Sequence, residues 1–463
     1  TQIGMIALFC MGITYLHAQF TLIKKEIHHS VALFQLASDK QSSQMEFSPS
    51  EYDLIDLDLS LLQQLRQTEP QILTIAIPSE EKSILELDLQ RVNLFSPGFA
   101  VYKSSSPLPV KTDRGLHCQG KIKGNDNSIV AISLFQDHVM GLISSEQGNF
   151  VIGKLNEKAA NARHIIYNDH EILTTLGFSC ETADDGKGYT AEELADSGDE
   201  KLVDNCVNLY FEVDHDIFLN KGGIDPTIDF VTGMYNQVNM IYLNEEIESA
   251  ISEIFIWDTP SPYSSSSSSG MLSQFQSFRT EFNGDLGQLL SYQASGGVAA
   301  GFNGICASNR AQSLSFSSIN TSYNNFPTYS WNIMVISHEF GHIWGSRHTH
   351  ACVWNGNNTA IDGCAGFVEG SCPLPGIPSQ GGTIMSYCHI QSVGVNFNEG
   401  FGLQPGNVIR NRTENGTCLS ECSTCDDGMQ NGDEEGVDCG GSDCPACPTC
   451  DDGIQNGDEE GID

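Results

Sequence analysis

The chain has 463 residues, with 59 acidic and 22 basic side chains and a formal net charge of −37. This length predicts two or three domains rather than one compact core. The strong negative charge excludes a general electrostatic affinity for nucleic acid or for an anionic membrane, and it favours solubility.

An apolar run from Ile3 to Tyr15 opens the sequence and is followed by Ala18 and Gln19. This pattern is typical of the hydrophobic part and cleavage site of a secretory signal peptide. The run is too short to span a bilayer comfortably, and no other segment is a candidate membrane helix. We therefore expect residues 1–18 to be an N-terminally truncated signal peptide and the protein to be secreted or at the cell surface. Cleavage would leave 15 of the 16 cysteines, which in an exported protein favour disulfides.

Residues 19–200 contain no catalytic-looking cluster and are expected to form a β-rich domain. Alternating segments at 128–135 and 138–145, with a turn-like GNDN at 124–127, predict antiparallel strands. The acidic stretch 181–205 has little apolar content. It predicts an exposed linker of the kind in which proteolytic nicking is concentrated.

From Cys206 the pattern changes to an alternation of strands and helices, which predicts an α/β domain over residues 206–422. The predicted elements are, in chain order, a strand at 207–213, a helix at 228–245, a strand at 251–258, a flexible serine-rich loop at 261–270, a helix at 277–290, an edge-like strand at 296–307 and a helix at 331–345.

The most informative motif is HEFGHIWGSRH at 338–348. His338 and His342 are four residues apart, so on a helix they project from one face and can bind the same metal ion. Glu339 lies between them and can act on a water held by that metal. Gly345 permits a positive-φ exit from the helix, which returns His348 as a third imidazole. Three imidazoles and one open position predict a hydrolytic Zn²⁺ site.

A second motif, GGTIMSYCH at 381–389, places Met385 and Tyr387 downstream of the histidines. A methionine beneath the imidazoles would provide a soft apolar support for the ligands. Together the two motifs resemble the extended zinc motif and Met-turn of the metzincin zinc peptidases. The resemblance implies an α/β (α+β) catalytic domain with a twisted mixed sheet and a zinc-binding helix.

Within the metzincins the chain is most similar to the reprolysin or adamalysin-like (ADAM-type) group. VDHDIF at 213–218 resembles the end of that group's first strand, and GGVAAGFNGIC at 296–306 resembles the edge strand that pairs with an extended substrate. Residues 117–152 resemble its propeptide. The resemblance therefore implies a propeptide over 19–200 and a zinc endopeptidase domain over 206–422.

Two positions depart from the reprolysin pattern. An aspartate usually follows the third histidine, whereas His348 is followed by Thr349 and His350, so His350 is an alternative third ligand. Tyr387 is not typical of ADAM proteases but resembles the Met-x-Tyr pair of astacins and serralysins. This resemblance implies that Tyr387 stabilises an oxyanion, and the alternative is a packed core tyrosine.

A zymogen of this kind is expected to carry a thiol that blocks the zinc. Cys118 and Cys180 are the candidates, and Cys180 is better placed because it directly precedes the linker. A Cys118–Cys180 or Cys180–Cys206 bridge is the alternative. An even set of eight cysteines would then form four bridges of undetermined connectivity. They are Cys206, Cys306, Cys352, Cys364, Cys372, Cys388, Cys418 and Cys422.

Residues 423–463 form a Cys- and Asp-rich repeat with a 25-residue period, and the second copy is expected to be cut short. So short a segment needs cross-links to fold. Its carboxylates and amides could bind Ca²⁺ through oxygen ligands, or the repeat could be a disulfide-stapled acidic spacer. A zinc site in CPACPTC at 444–450 is the weakest interpretation.

The leading interpretation is a secreted zinc endopeptidase made as a zymogen, with protein or peptide substrates and its own propeptide as partners. Glu339 would act as general base on a zinc-bound water and pass the proton to the leaving amine. The alternative is an adhesion or matrix-binding protein whose protease domain is inactive. An exopeptidase or a non-peptide hydrolase is disfavoured because an edge strand suits an extended polypeptide.

Overall fold

The structure is a computed structural model. The described residues are 30–37, 52–79, 84–155, 162–169, 180–195, 203, 205–320, 329–421, 439 and 447. The predicted signal peptide and, apart from Cys439 and Cys447, the C-terminal repeats lie outside them. Residues 30–169 are called the N-terminal region below, and residues 205–421 the C-terminal region.

The N-terminal region is built mainly from strands, as its alternating sequence predicts. Its elements are, in chain order, β1 (Ser30–Val31), β2 (Phe34–Leu36), β3 (Tyr52–Leu57), α1 (Leu59–Thr68), β4 (Ile72–Pro78), β5 (Ile84–Arg91), β6 (Phe95–Lys103), β7 (Ser106–Val110), β8 (Leu116–Ile122), β9 (Asn125–Leu134), β10 (Val139–Ser145), β11 (Gly148–Lys154) and β12 (Arg163–Asn168).

Most of these strands form a ten-stranded sheet in the order β1-β4-β5-β8-β9-β10-β11-β12-β3-β2. The pairings are antiparallel except between β1 and β4. The sheet is curled, because β2 also lies against β4 near the opposite end. Leu62 and Leu65 of α1 fill the concave side together with apolar residues of the strands. The antiparallel strands predicted at 128–135 and 138–145 are β9 and β10, which pair as expected.

The C-terminal region alternates strands and helices. The elements after residue 169 are, in chain order, α2 (Ala191–Leu194), β13 (Asn205–Val213), α3 (His215–Lys221), α4 (Ile224–Leu243), β14 (Ser249–Ile256), α5 (Ser268–Phe278), β15 (Leu286–Ser291), β16 (Gly297–Ala299), β17 (Leu314–Ser318), α6 (Tyr329–Trp344), α7 (Trp354–Asn357), α8 (Leu403–Glu414) and β18 (Ser420–Glu421). Short 3-10 helices lie at Arg310–Ser313, Cys388–Ile390 and Phe397–Glu399.

The sheet of this region has the order β16-β17-β15-β13-β14-β6-β7, and β18 pairs with β13. The central pairings are parallel, and β16 runs antiparallel to β17 at one edge. This mixed sheet, with its helices, confirms the predicted α/β fold class of the C-terminal region. The edge strand predicted at 296–307 is much shorter, because β16 spans only Gly297–Ala299, but it does lie at the edge of the sheet.

The other end of this sheet was not anticipated. Strands β6 and β7 belong to the N-terminal region, yet β6 pairs in parallel with β14 from Phe95 to Lys103. β7 then closes the sheet as an antiparallel hairpin on β6. The two regions therefore share one hydrogen-bonded sheet.

The helix predicted at 277–290 is wrong. Helix α5 ends at Phe278, and residues 286–291 form the buried central strand β15. A parallel strand that is covered on both faces carries no alternation of apolar and polar residues, so its periodicity does not distinguish it from a buried helix. The serine-rich stretch also contributes to α5 from Ser268, where Ser267 caps the helix by accepting from the N–H of Gly270.

Helix α4 provides a second contact between the two regions. Asn236 donates to the carbonyl of Ile132 at 3.1 Å, and Gln119 donates to Asn239 at 2.7 Å. Around these polar contacts, apolar residues from β9, β10 and β11 join those of α4 and α6 in one hydrophobic core. The N-terminal region is thus packed against the helices as well as the sheet.

Disulfides hold the loops that follow α6. Cys306 is bonded to Cys418, and two bridges lie in the loops between residues 352 and 388. These two are Cys352–Cys372 and Cys364–Cys388. Cys206 is also disulfide-bonded, whereas Cys118 and Cys180 are free. The alternative bridges Cys118–Cys180 and Cys180–Cys206 are therefore wrong.

Candidate metal centre and cleft

Helix α6 carries His338, Glu339 and His342, all three of them buried, and the two histidines lie one turn apart. The helix ends at Trp344, and Gly345 has φ of +132°, a conformation that favours glycine. The chain then reverses and returns His348 to the same point. The positive-φ exit predicted for Gly345 is confirmed.

The imidazoles of His338, His342 and His348 converge together with the thiol of Cys180. Their ligand atoms lie within 4.8 Å of one another. The Nε2 atoms of His342 and His348 are 3.1 Å apart, and Cys180 Sγ is 3.4 Å from His342 Nε2. His350 is not in this group, and its ring stacks on that of His348 at 4.8 Å between centroids.

Hydrogen bonds on the outer side of each ring fix its tautomer. His338 Nδ1 donates to the carbonyl of Ile384 at 2.8 Å, and His342 Nδ1 donates to the carbonyl of Ser346 at 2.8 Å. A carbonyl oxygen can only accept, so the proton of these rings is on Nδ1 and the Nε2 lone pair points inward. Facing lone pairs at 3.1 Å cannot hydrogen-bond to each other. A cation between them satisfies both, and the donor set fits Zn²⁺.

Glu369 was not found by sequence reasoning. It lies 3.0 Å from His348 Nδ1 and 3.5 Å from His350 Nε2. Burial alone would raise the pKa of Glu369, but the hydrogen bonds from His348 and His350 lower it to about 2. The ionised carboxylate therefore fixes the tautomer of His348, in the role of the carboxylate–histidine pairs that orient metal ligands. No sequence signal marks it, because it lies in an irregular loop.

Burial dominates the electrostatics of this centre. It lowers the pKa of His338 and His342 well below the usual value, so both rings are neutral. Burial also raises the pKa of Glu339 well above its usual value. Among the described residues, Glu339 Oε1 has no hydrogen-bond partner, whereas Oε2 accepts from Thr182 at 3.4 Å.

Met385 lies beneath the metal-binding helix. Its Sδ is 2.8 Å from the position that a Cβ would take at Gly341, so only glycine allows this approach between Glu339 and His342. The carbonyl of Met385 also accepts from the N–H of Thr349 at 3.1 Å. Met385 therefore supports both the helix and the loop that carries His348. Tyr387 follows on the same turn, with its ring 5.1 Å from that of His348.

Residues 180–195, called the cleft segment below, run across this centre. Cys180 forms a parallel bridge with Gly297, and the N–H of Glu181 donates to the Gly297 carbonyl at 2.9 Å. The N–H of Ala299 donates to Thr182 Oγ1 at 2.7 Å. The segment thus lies along the edge strand β16, while Cys118 remains buried in β8 and does not reach the site.

Further along, the cleft segment is held by polar and aromatic contacts. Tyr189 stacks on Trp354 at 5.1 Å, and its hydroxyl donates to the carbonyl of Gly345 at 2.8 Å. Thr190 caps α2, and Glu193 pairs with Arg412 at 2.5 Å. Residues 185–188 are exposed, but the predicted linker is not exposed throughout, because Thr182 and Tyr189 are buried.

Residues 203–397 match the Reprolysin_5 family model, described as metallo-peptidase family M12. The match identifies this part of the chain as a reprolysin-like metzincin domain, and the family implies a zinc-dependent peptidase. No curated protein matches the chain.

The solved structures that resemble the chain include the following two. Metalloproteinase-II from Bacteroides fragilis is 11% identical with a TM-score of 0.38, covering 65% of this chain and 90% of its own. A chaperone–substrate complex is 14% identical with a TM-score of 0.28, covering 47% of this chain and 36% of its own. At these scores neither structure supports a conclusion about this protein.

Proposed function

We propose that this chain, whose residues 203–397 form a reprolysin-like domain of metallopeptidase family M12, is a secreted zinc endopeptidase that is made in a latent form. The observation that carries the proposal is the convergence of three imidazole Nε2 lone pairs on one point, beside the buried carboxylate of Glu339. The substrate class is an extended protein or peptide segment.

His338, His342 and His348 would hold the zinc ion, with Glu369 orienting the third of them. When bound, zinc lowers the pKa of a water molecule and polarises the scissile carbonyl. His350 is the less favoured third ligand, because its ring nitrogens lie outside the converging group and one of them faces Glu369.

Glu339 is proposed as the general base and then the general acid. Its Oε1 is buried without a hydrogen-bond partner among the described residues, so it is available to a water molecule at the metal centre. It would take a proton from that water and deliver the same proton to the leaving amine. Its pKa is raised by burial while the cleft segment covers it. Removal of the segment admits water and favours the ionised base.

Tyr387 is proposed to stabilise the oxyanion. Its hydroxyl donates to the backbone carbonyl of Cys180 at 3.5 Å, and Cys180 is the residue that sits at the metal centre. The phenol is therefore already directed at a carbonyl held beside the zinc ligands. Charge that develops on a substrate carbonyl at this position would strengthen the same hydrogen bond.

The edge strand supports cleavage within a chain rather than at its end. β16 already pairs with the cleft segment through Cys180 and Glu181. Backbone hydrogen bonds to a sheet edge bind an extended peptide largely irrespective of its side chains. Binding of this kind needs no free chain end, so it suits cleavage within a polypeptide.

Latency is proposed to depend on Cys180. In the absence of a cation, burial and the neighbouring carboxylate of Glu339 raise the pKa of the Cys180 thiol well above its usual range. A zinc ion would instead favour the thiolate, which is a good fourth ligand. The cleft segment would then block both the metal and the edge strand.

Export is proposed from the disulfides, which persist in oxidising compartments. No helix of the described residues is long and apolar enough to cross a membrane. In the repeats, Cys439 is bonded to Cys447. This bond removes one cysteine from the proposed zinc site at 444–450, and no finding supports Ca²⁺ binding there.

The decisive experiment replaces Glu339 with Gln. We expect the variant to retain one zinc ion per chain but to lose casein cleavage by at least about 10³-fold, since general acid–base catalysis contributes that order of magnitude. Zinc is measured by mass spectrometry and cleavage by released peptides, both with the cleft segment removed by limited proteolysis. Glu281→Gln, at an exposed carboxylate between α5 and β15, is the matched control. Undiminished cleavage by Glu339→Gln would refute the proposed role.

A further inference from the structure

Arg347 is a buried cation next to the metal centre that the proposed mechanism does not use. It directly precedes His348 and is 4% exposed. Its guanidinium lies 4.4 Å from the ring centroid of Phe302, and the Phe302 ring lies 5.5 Å from that of His342. One aromatic ring therefore separates this positive charge from a proposed zinc ligand.

Both carboxylates that pair with Arg347 belong to the cleft segment. Arg347 Nε is 3.3 Å from Asp184 Oδ1 and donates to Asp185 at 3.1 Å, and a second guanidinium nitrogen also donates to Asp185. Among the described residues of the C-terminal region, no carboxylate forms an ion pair with it. Departure of the cleft segment would leave the Arg347 guanidinium beside Phe302 without a counter-charge, which is unfavourable.

The cleft segment reaches Arg347 by following the edge strand. Cys180 lies opposite Gly297, and Thr182 accepts from the N–H of Ala299. The two aspartates then pair with Arg347. Any extended peptide bound along β16 would also pass Arg347. Four residues of extended strand separate Cys180 from Asp184, which corresponds to about 13 Å from the metal centre. A carboxylate at that position would reach the Arg347 guanidinium.

We propose that Arg347 forms a subsite for an acidic side chain of the substrate, located three to five residues from the scissile bond. Asp184 and Asp185 occupy this subsite in the latent chain. The inference rests on the proposed function, since it assumes that a peptide replaces the cleft segment. Arginine suits this role because its planar guanidinium binds a carboxylate through two parallel hydrogen bonds while stacking on an aromatic ring.

The test uses the full chain with Cys180→Ser, so that added peptides can compete for the cleft. Fluorogenic peptides carry Asp or Asn at each of positions three to five on either side of one scissile bond. We expect kcat/KM to be about tenfold higher for Asp than for Asn on one side only, mainly through KM, as for a charge-assisted hydrogen bond. Arg347→Gln should abolish this preference, and Arg347→Lys should retain part of it.

Arg412→Gln is the matched control. Arg412 also pairs with the cleft segment, through Glu193, and its other partner, Asn303, lies on the surface. This variant should keep the full preference for Asp. Equal cleavage of Asp and Asn peptides at all positions would overturn the proposal, as would a preference that survives Arg347→Gln.

A binding measurement separates this inference from the peptidase assignment and does not depend on the folding of Arg347 variants. The probe is a labelled peptide of residues 180–195, and fluorescence anisotropy measures its binding to the chain carrying Cys180→Ser and Glu339→Gln. We expect its Asp184→Asn/Asp185→Asn form to bind about tenfold more weakly. Equal affinities would reject the subsite. A charge preference in binding without cleavage of any peptide would retain the subsite and reject the peptidase.

Discussion

The β6–β7 hairpin and the cleft segment both attach residues before 205 to the C-terminal region, but with different chemistry. The hairpin adds a parallel backbone ladder to β14, and Val101 at its centre is 1% exposed. The cleft segment makes one bridge to β16 and is otherwise held by side chains such as Asp185 and Tyr189.

This difference indicates which attachment can be released. Charged and hydroxyl groups exchange their partners for water at modest net cost, about 1 kcal/mol per hydrogen bond. The buried side chains of β6, which are Phe95, Phe99 and Val101, have no comparable alternative, because water cannot replace their packing. We therefore expect the cleft segment to dissociate from the C-terminal region while the fold stays intact. The hairpin should dissociate only when the N-terminal region unfolds.

The largest expected effect is a loss of stability when a charge replaces a buried residue of the hairpin. Val101→Asp buries an unpaired carboxylate in the hydrophobic core against this sheet, which should lower the free energy of unfolding by about 3–4 kcal/mol. Urea unfolding of the full chain measures it. Leu108→Asp on β7, where the side chain is 71% exposed, should change stability little. Equal stabilities of the two variants would contradict a permanent hairpin that is anchored by the buried residues of β6.

The next largest expected effect is a gain of activity when the contact of the cleft segment with the metal centre is weakened. Cys180→Ser should raise the activity of the uncut chain on a fluorogenic peptide by about 10²-fold, because a hydroxyl is a much poorer zinc ligand than a thiolate. Cys118→Ser is the matched control, since Cys118 is the other free cysteine and is buried in β8. An uncut Cys180→Ser chain that remains as inactive as wild type would show that latency does not depend on this thiol.

The smallest expected effect is a pH dependence of stability that arises at the turn between β6 and β7. Burial alone would raise the pKa of Asp258, but hydrogen bonds from Ser105 and Ser104 outweigh it and lower the pKa to about 2. A depressed folded-state pKa contributes stability above the unfolded value near 4, and this contribution is lost as the pH falls towards 2. Asp258→Asn should therefore lose about 1 kcal/mol at pH 7 and differ little from wild type at pH 2.

Thermal unfolding at several pH values measures this prediction. Asp126→Asn, at an exposed carboxylate in β9, is the control and should follow the wild-type pH profile. A difference between Asp258→Asn and wild type that persists unchanged to pH 2 would exclude the ionised carboxylate as its source.

The features that could be predicted are those that depend on residues close together in the sequence. The spacing of His338, His342 and His348 needs only a helix and a turn, and Gly345 marks that turn. Strands β9 and β10 are apolar runs joined by a short turn, and their residues are divided between the core inside the curled sheet and the core beneath α4.

The remaining features depend on long-range contacts. Glu369 meets His348 through an irregular loop closed by Cys352–Cys372, and no periodicity predicts that meeting. The hairpin joins β14 across more than a hundred residues of chain. In the sequence, Arg347 has no evident role within the histidine motif. Its role depends on the contacts with Asp184 and Asp185, which are distant in the chain.

The shared sheet has a consequence for biosynthesis. Ribosomes make residues 95–110 before residues 249–256, so the strand that covers β14 exists before β14 itself. A polypeptide starting at residue 205 would fold with β14 as a bare edge, and exposed edges template aggregation. Recombinant production of the C-terminal region therefore calls for residues 30–169, either on the same chain or supplied as a separate polypeptide.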